Sequence, residues 1–326
     1  MYLVTGATGF IGSAVVWQLN EAGITDIVAC DTIPPTDRPR ALASYKYTQF
    51  LAKDELFDWL QKEKPNLTGV VHMGASSSTT VTDEEFLREN NTEYTQMLFE
   101  YCRENGGTFI YASSASVYGD GELGFNDTDP TEKFTPMHAY GRSKKNFDVW
   151  ALQKADEPKN WFGLRFFNVF GPNEYYKDDM LSVPYKALQQ IQEKGSVKLF
   201  KSNHADYKDG EQKRDFVYVK DITRWILELL QSPDAAPNGI YNMGYGTART
   251  WKDLINSLFS ALEKETKIEW IEIPNQLKDQ YQNFTEANMQ KWFSGGLSEP
   301  EWPLEKAIED YVQNYLLQSD RYLGES

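Results

Sequence analysis

A tyrosine and a lysine four residues apart form the pair in this sequence best suited to proton chemistry. Tyr140 and Lys144 stand in the segment YGRSK, and this spacing places both on one face of a helix. A phenol with a pKa of about 10 is a poor base at neutral pH, but a neighbouring ammonium stabilises the phenolate and lowers that pKa. The pair can therefore take a proton from a hydroxyl while a hydride leaves the same carbon for an acceptor.

Ser114 is a third candidate for the same chemistry. It follows the strand-like run Thr108–Ala112, at the carboxyl end where ligands bind in open α/β sheets, and its hydroxyl can share a hydrogen bond with the reacting oxygen. The alternative is that Ser113, Ser114 and Ser116 only satisfy the backbone of a turn. Because the chain has 19 tyrosines, about one Tyr-x-x-x-Lys pair is expected by chance. The spacing of Tyr140 and Lys144 is therefore weak evidence alone, and it becomes informative because the predicted strand and Ser114 precede it.

A glycine-rich turn near the N-terminus predicts a dinucleotide site. The segment TGATGFIG contains Gly6, Gly9 and Gly12 between a predicted strand and a predicted helix. Gly6 can form the tight turn, Gly9 lets a diphosphate approach the backbone, and Gly12 lets the helix pack closely on the strand. The N–H groups and dipole of the helix favour a pyrophosphate at its N-terminus. The alternative is an ordinary structural turn.

Three residues bear on the type of dinucleotide, and they point in two directions. Asp31 stands 19 residues after Gly12, where an acidic side chain reaches the adenosine ribose hydroxyls and ordinarily favours NAD. The loop that follows carries Arg38 and Arg40, either of which could pair with the 2′-phosphate of NADP. Both arginines could equally be solvated loop charges. The residues alone therefore leave the choice between NAD and NADP open.

The elements that must position these residues alternate along the first half of the chain. The predicted strands are Tyr2–Thr5, Asp26–Asp31, Gly69–His72, Thr108–Ala112 and Phe162–Phe167, and their apolar character suits strands buried on both faces. The predicted helices are Gly12–Ala22, Lys53–Lys62, Asp83–Glu104 and Tyr140–Lys154. This alternation predicts an α/β fold with a Rossmann-type, doubly wound parallel sheet.

The second half is less regular and predicts a smaller α/β part. Its predicted helices are Leu181–Glu193, Asp221–Gln231, Trp251–Glu263 and Pro303–Leu317. Its predicted strands are Val197–Phe200, Phe216–Val219, Ile240–Met243 and Ile268–Ile271. Because some of these strands could return to the first sheet, we expect a cofactor domain of residues 1–170 and about 215–245, and a discontinuous substrate domain of about 171–214 and 246–326. The tail SDRYLGES is expected to fray.

Composition excludes several classes of function. The 33 Lys and Arg stand against 48 Asp and Glu, a net charge of −15, so no nucleic-acid partner is expected. The two cysteines and three histidines (His72, His138 and His204) predict neither a disulfide framework nor a metal site. No window reaches the roughly 18 uninterrupted apolar residues of a membrane span. The chain opens on MYLVTG without a basic leader, so a cytoplasmic location is expected.

The combination of motifs resembles the extended short-chain dehydrogenase/reductase family. TGATGFIG, SSASVYG, YGRSK and LRFFNVFGP follow that family's order and spacing. Further segments look like the ADP-L-glycero-D-manno-heptose 6-epimerases, over nearly the whole chain: HMGASSSTT (72–80), RENN (88–91), FNVFGPNEYYKDDM (167–180), QKRDFVYVKD (212–221) and LKDQYQNFTEAN (277–288). The resemblance implies a cytoplasmic homo-oligomer, a pentamer in relatives. It also implies that bound NADP serves to invert C6″ of ADP-heptose for lipopolysaccharide synthesis.

The resemblance also implies roles for individual residues. Catalysis would involve Ser114, Tyr140, Lys144 and Lys177. Besides the glycine turn, Tyr140, Lys144 and Lys177, the cofactor positions would be Phe10, Ile11, Asp31, Thr32, Arg38, Lys53, Met73, Gly74, Ala75, Ser76, Ser77, Asn90 and Val169. The substrate positions would be Ser114, Asn168, Asp179, Lys186, Phe200, Lys201, Ser202, Asn203, Arg214 and Tyr281. Met73, Asp179 and Lys186 replace a Glu, a Ser and a His of relatives, whereas Arg38 replaces a Lys and keeps the charge.

The implied reaction requires temporary oxidation, since no carbonyl neighbours C6″ to stabilise a carbanion. The resulting 6″-keto sugar must turn and take the hydride back on its other face, which moves its oxygen within the pocket. Tyr140 and Lys177 would then each serve one orientation. A lysine titrates at about 10.4 in water, so burial or a nearby cation must lower its pKa. The alternative is that Lys177 binds the ADP phosphates as a fixed charge.

Two of the implied substrate residues, and the function itself, also admit a second interpretation. Arg214 would bind the diphosphate through its planar donors, or else form a surface ion pair with Asp215 or Glu211. Tyr281 could equally be a core aromatic with a satisfied hydroxyl. A nucleotide-sugar 4-epimerase or 4,6-dehydratase would not account for the Lys177 segment. A non-catalytic dinucleotide-sensing scaffold would have no reason to keep the Ser/Tyr/Lys set.

Overall fold

A seven-stranded parallel sheet forms the centre of the protein. The structure is a computed structural model that describes residues 1–177, 180–274 and 281–324. In chain order the strands are β1 (Tyr2–Thr5), β2 (Ile27–Asp31), β3 (Gln49–Ala52), β4 (Gly69–His72), β5 (Thr108–Ser114), β6 (Trp161–Phe166), β7 (Asn168–Phe170), β8 (Val197–Phe200), β9 (Lys213–Arg214), β10 (Phe216–Tyr218), β11 (Gly239–Met243), β12 (Arg249–Thr250) and β13 (Ile268–Ile271). The central sheet has the order β11-β6-β5-β4-β1-β2-β3, which confirms the predicted doubly wound, Rossmann-type fold.

Helices cover both faces of this sheet. They are α1 (Phe10–Glu21), α2 (Leu56–Glu63), α3 (Glu84–Leu87), α4 (Tyr94–Asn105), α5 (Ala139–Leu152), α6 (Val183–Lys194), α7 (Val219–Gln231), α8 (Trp251–Ala261), α9 (Gln290–Ser294) and α10 (Leu304–Tyr311). Successive strand residues point to opposite faces. Val4 and Val71 pack in the core that includes α1 and α7, whereas Leu3 and Val70 pack in the core that includes α2, α4 and α5. Burial on both faces explains the continuous apolar runs of the sequence.

The predicted elements are largely confirmed, with a few differences that have physical reasons. The five strands predicted in the first half are β1, β2, β4, β5 and β6. Gln49–Ala52 was not predicted as a strand, because this edge strand has no fully buried residue and so lacks the apolar run. The predicted strand Ile240–Met243 returns to the sheet as β11 and pairs with β6. This return confirms the expectation that the second half contributes to the first sheet.

The long predicted helix Asp83–Glu104 is not one continuous α-helix. It is divided into α3 and α4 by a π-helical segment, Arg88–Glu93. Such segments widen one turn and are frequent at functional sites. Here the wide turn carries Asn90 and the buried Asn91, and apolar periodicity gives no signal for it.

The second half builds a smaller core beside the sheet. Parallel pairs β7–β10 and β8–β13 and the antiparallel pair β9–β12 lie with α6, α8 and α10, whose buried apolar residues form one cluster. We propose the division into a cofactor part and a substrate part given above. Trp292 of α9 and Leu323 nevertheless pack on the core of the first part. Within the described ranges, the longest and most apolar helices fall short of what a membrane crossing requires.

The described part of the C-terminal tail, residues 319–324, is tied to the rest of the chain, so the prediction that the tail frays is wrong for these residues. Leu323 is 1% exposed, its N–H donates to Asn173 Oδ1 at 2.9 Å, and its carbonyl accepts from Tyr45 Oη at 2.6 Å. The polar composition of SDRYLGES conceals this anchoring, because Asn173 and Tyr45 come from distant parts of the chain.

Candidate active site

One cavity lies at the carboxyl end of the central sheet. It encloses about 950 Å³, and its wall includes every residue that the sequence assigned to catalysis or to the cofactor. Ser114, Tyr140, Lys144 and Lys177 therefore face the same space as the glycine turn. Parallel strands end at this edge, which is where an open α/β sheet binds its ligands.

The glycine turn has the geometry expected of a phosphate-binding loop. Gly6 has φ of +66°, and the Gly9 N–H donates to the Gly6 carbonyl at 2.9 Å. Helix α1 begins directly afterwards at Phe10, so its first N–H groups lack intrahelical partners and point towards the cavity end of the helix. A Cβ added to Gly12 would lie 2.0 Å from the Gly6 carbonyl oxygen. The turn therefore closes only because residue 12 has no side chain.

Gly12→Ala should weaken dinucleotide binding by about 10- to 100-fold, since the overpacked turn must open at a cost of about 1–3 kcal/mol. Gly23→Ala is the matched control at the other end of α1. Its φ of +76° makes the change strained, but an added Cβ there meets nothing within 4 Å. The control should therefore lose stability without losing affinity. Fluorescence titration with NADPH and NADH measures both variants, and equal affinities in the two would contradict this role of Gly12.

The adenosine end of the cavity distinguishes the two candidate arginines. Arg38 lines the cavity, donates to the Thr8 carbonyl at 3.3 Å and lies over the Tyr176 ring at 5.5 Å. Arg40 instead pairs with Asp320 at 2.6 Å. Asp31 accepts from the backbone and hydroxyl of Thr8 at 3.0 and 2.9 Å. Its carboxylate thus braces the turn, and Arg38 is the one of the two arginines that lines this end of the cavity.

Lys53 and Asn90 complete the same wall, and the neighbouring Asn91 is buried. Lys53 Nζ donates to Asn90 Oδ1 and lies 4.8 Å from the centre of the Tyr94 ring. Asn91 accepts from the Ser76 N–H at 2.9 Å and donates to Ser143 Oγ at 3.1 Å. The π-helical turn therefore fastens the Met73–Ser77 turn to α5.

Tyr140, Lys144 and Ser114 form a compact group. The side chain of His138 caps α5 by accepting from the Gly141 N–H at 3.1 Å, which places Tyr140 in the first turn. Lys144 Nζ lies 6.0 Å from the centre of the Tyr140 ring, and the Ser114 side chain hydrogen-bonds to Tyr140. Ser114 also accepts from the Ser116 N–H at 3.1 Å. Ser114 therefore braces a turn and stands beside the phenol, and its bond to a reacting oxygen stays a prediction.

Burial governs the ionisation of this group in the protein alone. It raises the pKa of Tyr140 above its ordinary value, an effect that the hydrogen bond from Ser114 opposes. The expected lowering of this pKa is therefore not found for the protein alone. Burial also lowers the pKa of Lys144 to about 8, and the charge of Asp148 works against this shift. A positive charge inside the cavity would be needed to favour the phenolate.

Asp148 is a structural support that the sequence analysis missed. Its carboxylate is fully buried and accepts from Tyr111 Oη at 2.9 Å, Ser113 Oγ at 2.8 Å and Arg165 Nε at 3.0 Å. The carboxylate thereby joins α5 to β5 and β6 and fixes Ser114 relative to Tyr140. The available signal was spacing, because residues 140, 144 and 148 recur every four positions on one helix face.

His72 is a second missed residue of the cavity wall. Thr95 Oγ1 donates to the Asn91 carbonyl at 2.6 Å, so His72 Nε2 must donate to Thr95, at 3.0 Å. His72 Nδ1 then accepts from Thr5 Oγ1 at 2.6 Å. Burial, and after it the charges of Lys144 and Lys53, lower the pKa of His72 to about 3. The imidazole is therefore held neutral.

His72 should make the free energy of unfolding fall as the pH drops from about 6.5 towards 3, because only the unfolded chain binds a proton there. His72→Gln should remove up to about 1.4 kcal/mol per pH unit from that dependence in this window. Urea denaturation at several pH values measures it, with the exposed His204→Gln as the matched control. If both variants keep the wild-type pH dependence, the neutral buried imidazole is contradicted.

Lys177 belongs to the cavity wall beside the glycine turn. Its Nζ is 4.8 Å from the centre of the Phe10 ring, next to the glycine turn. Burial lowers the pKa of Lys177, the charge of Glu174 opposes this, and Lys186 lowers it further. Asn173, with φ of +76°, anchors this segment to α1 by donating to Ser13 Oγ at 3.1 Å.

The predicted substrate residues divide into two groups. Ser114 and Asn168 line the cavity, whereas the described residues of the second group lie outside its wall: Lys186, Phe200, Lys201, Ser202, Asn203, Arg214 and Tyr281. Trp251 joins the two groups, since it lines the cavity and its ring lies 5.6 Å from the Arg214 guanidinium. Asp179 lies outside the residues that the structure describes.

Arg214 is the centre of the second group. It is 7% exposed, donates to the Lys213 carbonyl at 2.9 Å and to the Gln282 carbonyl, and lies 5.4 Å from the centre of the Tyr281 ring. Asp215 instead accepts from backbone N–H groups such as that of Tyr245, at 2.6 Å. Glu211 pairs with Lys252 at 3.4 Å. The alternative interpretation of Arg214, a surface ion pair with Asp215 or Glu211, is therefore wrong, and its role in binding the diphosphate stays a prediction.

Comparison with known proteins gives a consistent assignment. The sequence model of the NAD dependent epimerase/dehydratase family matches residues 2–244. The ADP-L-glycero-D-manno-heptose-6-epimerase of Nitratidesulfovibrio vulgaris strain DP4 is 47% identical, covering 99% of this chain and 100% of that protein. The protein of the same name from Fusobacterium nucleatum is 44% identical with the same coverage.

A solved structure supports this assignment. The crystal structure of the Helicobacter pylori ADP-L-glycero-D-manno-heptose-6-epimerase has a TM-score of 0.80 and 29% identity, covering 96% of this chain and 95% of that one. The family resemblance carried by the motifs is thereby confirmed. The chain belongs to the NAD dependent epimerase/dehydratase family.

Proposed function

We propose that this chain converts ADP-D-glycero-D-manno-heptose to ADP-L-glycero-D-manno-heptose at C6″, through a transient 6″-keto sugar and with bound NADP. The observation that carries the proposal is the convergence of Ser114, Tyr140, Lys144 and Lys177 on one cavity with the glycine turn. The full-length relatives bear the name of this activity. The proposal extends to a homo-oligomer, as the resemblance implies.

The proposal assigns cavity residues to each part of the dinucleotide. The Gly6–Gly12 turn and the start of α1 would hold the pyrophosphate. Arg38, with Lys53 at the same end of the cavity, would bind the 2′-phosphate, which favours NADP over NAD. Lys144 would hold the nicotinamide ribose. When bound, oxidised NADP would accept the hydride from C6″, return it, and supply a positive charge beside the phenol.

Tyr140 would remove the hydroxyl proton at C6″ while Ser114 holds the same oxygen. The ammonium of Lys144 and the charge of the oxidised cofactor would both favour the phenolate, against the burial that raises the Tyr140 pKa. Asp148 would keep Lys144 charged, since it opposes the lowering of that pKa. Proton transfer would thus become possible only once the cavity is loaded.

Lys177 would serve the second orientation of the sugar. It faces the cavity, and the lowering of its pKa by burial brings an ammonium closer to exchanging a proton at neutral pH. Turning the keto sugar about its C5″–C6″ bond would move the oxygen from Tyr140 towards Lys177. The Arg214 and Tyr281 group, joined to the cavity by Trp251, would bind the ADP part of the substrate.

The test is to incubate purified protein with each C6″ epimer of ADP-heptose and no added cofactor. Interconversion, with no reaction of UDP-glucose or dTDP-glucose, is expected, and mass spectrometry of the nucleotide released by denaturation should give NADP. Conversion of the UDP- or dTDP-sugar in preference to ADP-heptose would instead support a 4-epimerase or dehydratase. Absence of turnover with every sugar would support a dinucleotide-sensing scaffold.

A further inference from the structure

The C-terminal tail crosses two irregular loops that lie beside the cavity. One loop, residues 32–45, carries Arg38, and the other, residues 171–177, carries Lys177. Leu323 hydrogen-bonds to both loops: its N–H donates to Asn173 of the second loop, and its carbonyl accepts from Tyr45 of the first. Tyr175 Oη also donates to the Arg321 carbonyl at 2.7 Å. The tail therefore ties together loops about 140 residues apart in sequence.

Tyr322 is the side chain through which the tail reaches the cavity wall. Its ring packs edge-on against Tyr175, with ring centres 5.1 Å apart, and lies 6.3 Å from the ring of Tyr176. The Arg40 guanidinium lies over the Tyr322 ring, 5.5 Å from the ring centre, and pairs with Asp320 at 2.6 Å. Tyr322 is therefore held between an arginine and two tyrosines.

Tyr176 transmits this arrangement to Arg38. Tyr176 lines the cavity, its hydroxyl accepts from the Arg40 N–H at 3.4 Å, and the Arg38 guanidinium lies over its ring at 5.5 Å. Arg38 has one further anchor, the Thr8 carbonyl at 3.3 Å. The guanidinium of Arg38 therefore packs on the ring of Tyr176.

We propose that the C-terminal residues 320–323 are a positioning element of the cofactor site: through Tyr322 they hold Tyr176, and through it Arg38, so that the cavity selects a dinucleotide with a 2′-phosphate. This inference rests on the proposed use of NADP. It assigns a binding function to a tail whose residues do not line the cavity.

The physical reason is the cost of ordering an arginine at the moment of binding. Immobilising a long side chain on association costs about 0.5–1.5 kcal/mol, and a mobile loop adds to that cost. A guanidinium already seated on a fixed aromatic ring avoids most of it, and its planar donors match a phosphate. The element should therefore strengthen binding of NADPH while leaving NADH, which has no 2′-phosphate, unaffected.

The experiment compares dissociation constants of NADPH and NADH for the nucleotide-free, full-length chain by quenching of tryptophan fluorescence, to which Trp251 in the cavity wall contributes. Tyr322→Ala should lower the preference for NADPH over NADH by about tenfold, the value of one hydrogen bond to a charged group. Asp320→Asn, which frees Arg40, should lower it in the same direction by a smaller factor.

Two controls separate positioning from stability. Tyr322→Phe keeps the ring and should stay within about twofold of wild type. Asp234→Asn removes a comparable surface ion pair, with Lys159, far from the tail and should change neither affinity. An unchanged NADPH-to-NADH ratio in Tyr322→Ala would overturn the inference, as would an equal loss of both affinities or a wild-type preference for NADH. Failure to convert ADP-heptose would overturn the proposed function alone, because these ratios do not depend on the sugar.

Discussion

Tyr140→Phe is expected to slow the interconversion of the ADP-heptose epimers by about 10²- to 10⁴-fold, the usual contribution of a general acid–base group. The phenylalanine keeps the ring that packs against His138 but has no proton to exchange with the C6″ oxygen. Since the cofactor contacts of the glycine turn and Arg38 are untouched, the purified variant should retain its nucleotide. Initial rates and the amount of nucleotide released on denaturation measure both properties.

Tyr94→Phe is the matched control for this prediction. Tyr94 lies in the same cavity, but its hydroxyl donates to the Lys53 carbonyl at 3.2 Å at the adenosine end. Its loss should leave turnover within a few-fold of wild type. A Tyr140→Phe variant as active as the Tyr94→Phe variant would exclude the phenol from proton transfer, and loss of nucleotide would show that Tyr140 acts in binding instead.

Lys177→Met tests the two roles that the sequence leaves open for this lysine. If Lys177 exchanges a proton with the turned keto sugar, kcat should fall by about 10²-fold or more with little change in KM. If it is a fixed charge for the ADP phosphates, KM should rise and kcat should be largely preserved. We expect the first result, because burial lowers the pKa of Lys177 and the side chain faces the cavity.

Lys177→Arg sharpens this prediction, since arginine keeps the charge but does not give up its proton. It should be as impaired as Lys177→Met in kcat, whereas a phosphate-binding charge would be rescued. Lys46→Met, at an exposed position, controls for loss of a lysine as such. Rescue of kcat by arginine would contradict a catalytic Lys177.

The central sheet and the cofactor turn could be predicted from sequence because their signals are local. Buried parallel strands give continuous apolar runs, and Gly6 and Gly9 stand directly between β1 and α1, with Gly12 in the first turn of α1. The positions of Ser114, Tyr140 and Lys144 follow from the same logic, since each lies at the end of β5 or on one face of α5. These features can be predicted without knowing which distant residues are in contact.

The features that were missed depend on contacts between distant residues. Asp148 is an ordinary acidic position until Arg165 and Tyr111 are seen around it, and His72 is a lone histidine until Thr5 and Thr95 fix its tautomer. The tail was expected to fray because Leu323 is a single apolar residue among polar ones. Its partners Tyr45 and Asn173 lie far away in the chain.

The substrate end was the least predictable part for a related reason. The Arg214 and Tyr281 group was assigned by resemblance, and the structure places it behind Trp251 instead of in the cavity wall. Short pairings such as β9–β12, in which Arg214 faces Arg249, create this arrangement. Two-residue strands leave no periodic pattern in a sequence.

Incubation of either epimer with the enzyme in D₂O, without added cofactor, tests the account most directly. The proposal predicts that the epimers interconvert and that C6″ keeps its original hydrogen, because the atom removed from one face is the atom returned to the other. Mass spectrometry and proton NMR of the product read this out. Deuterium at C6″ would show that a proton from solvent had been taken up there, and the oxidation–reduction mechanism would be wrong.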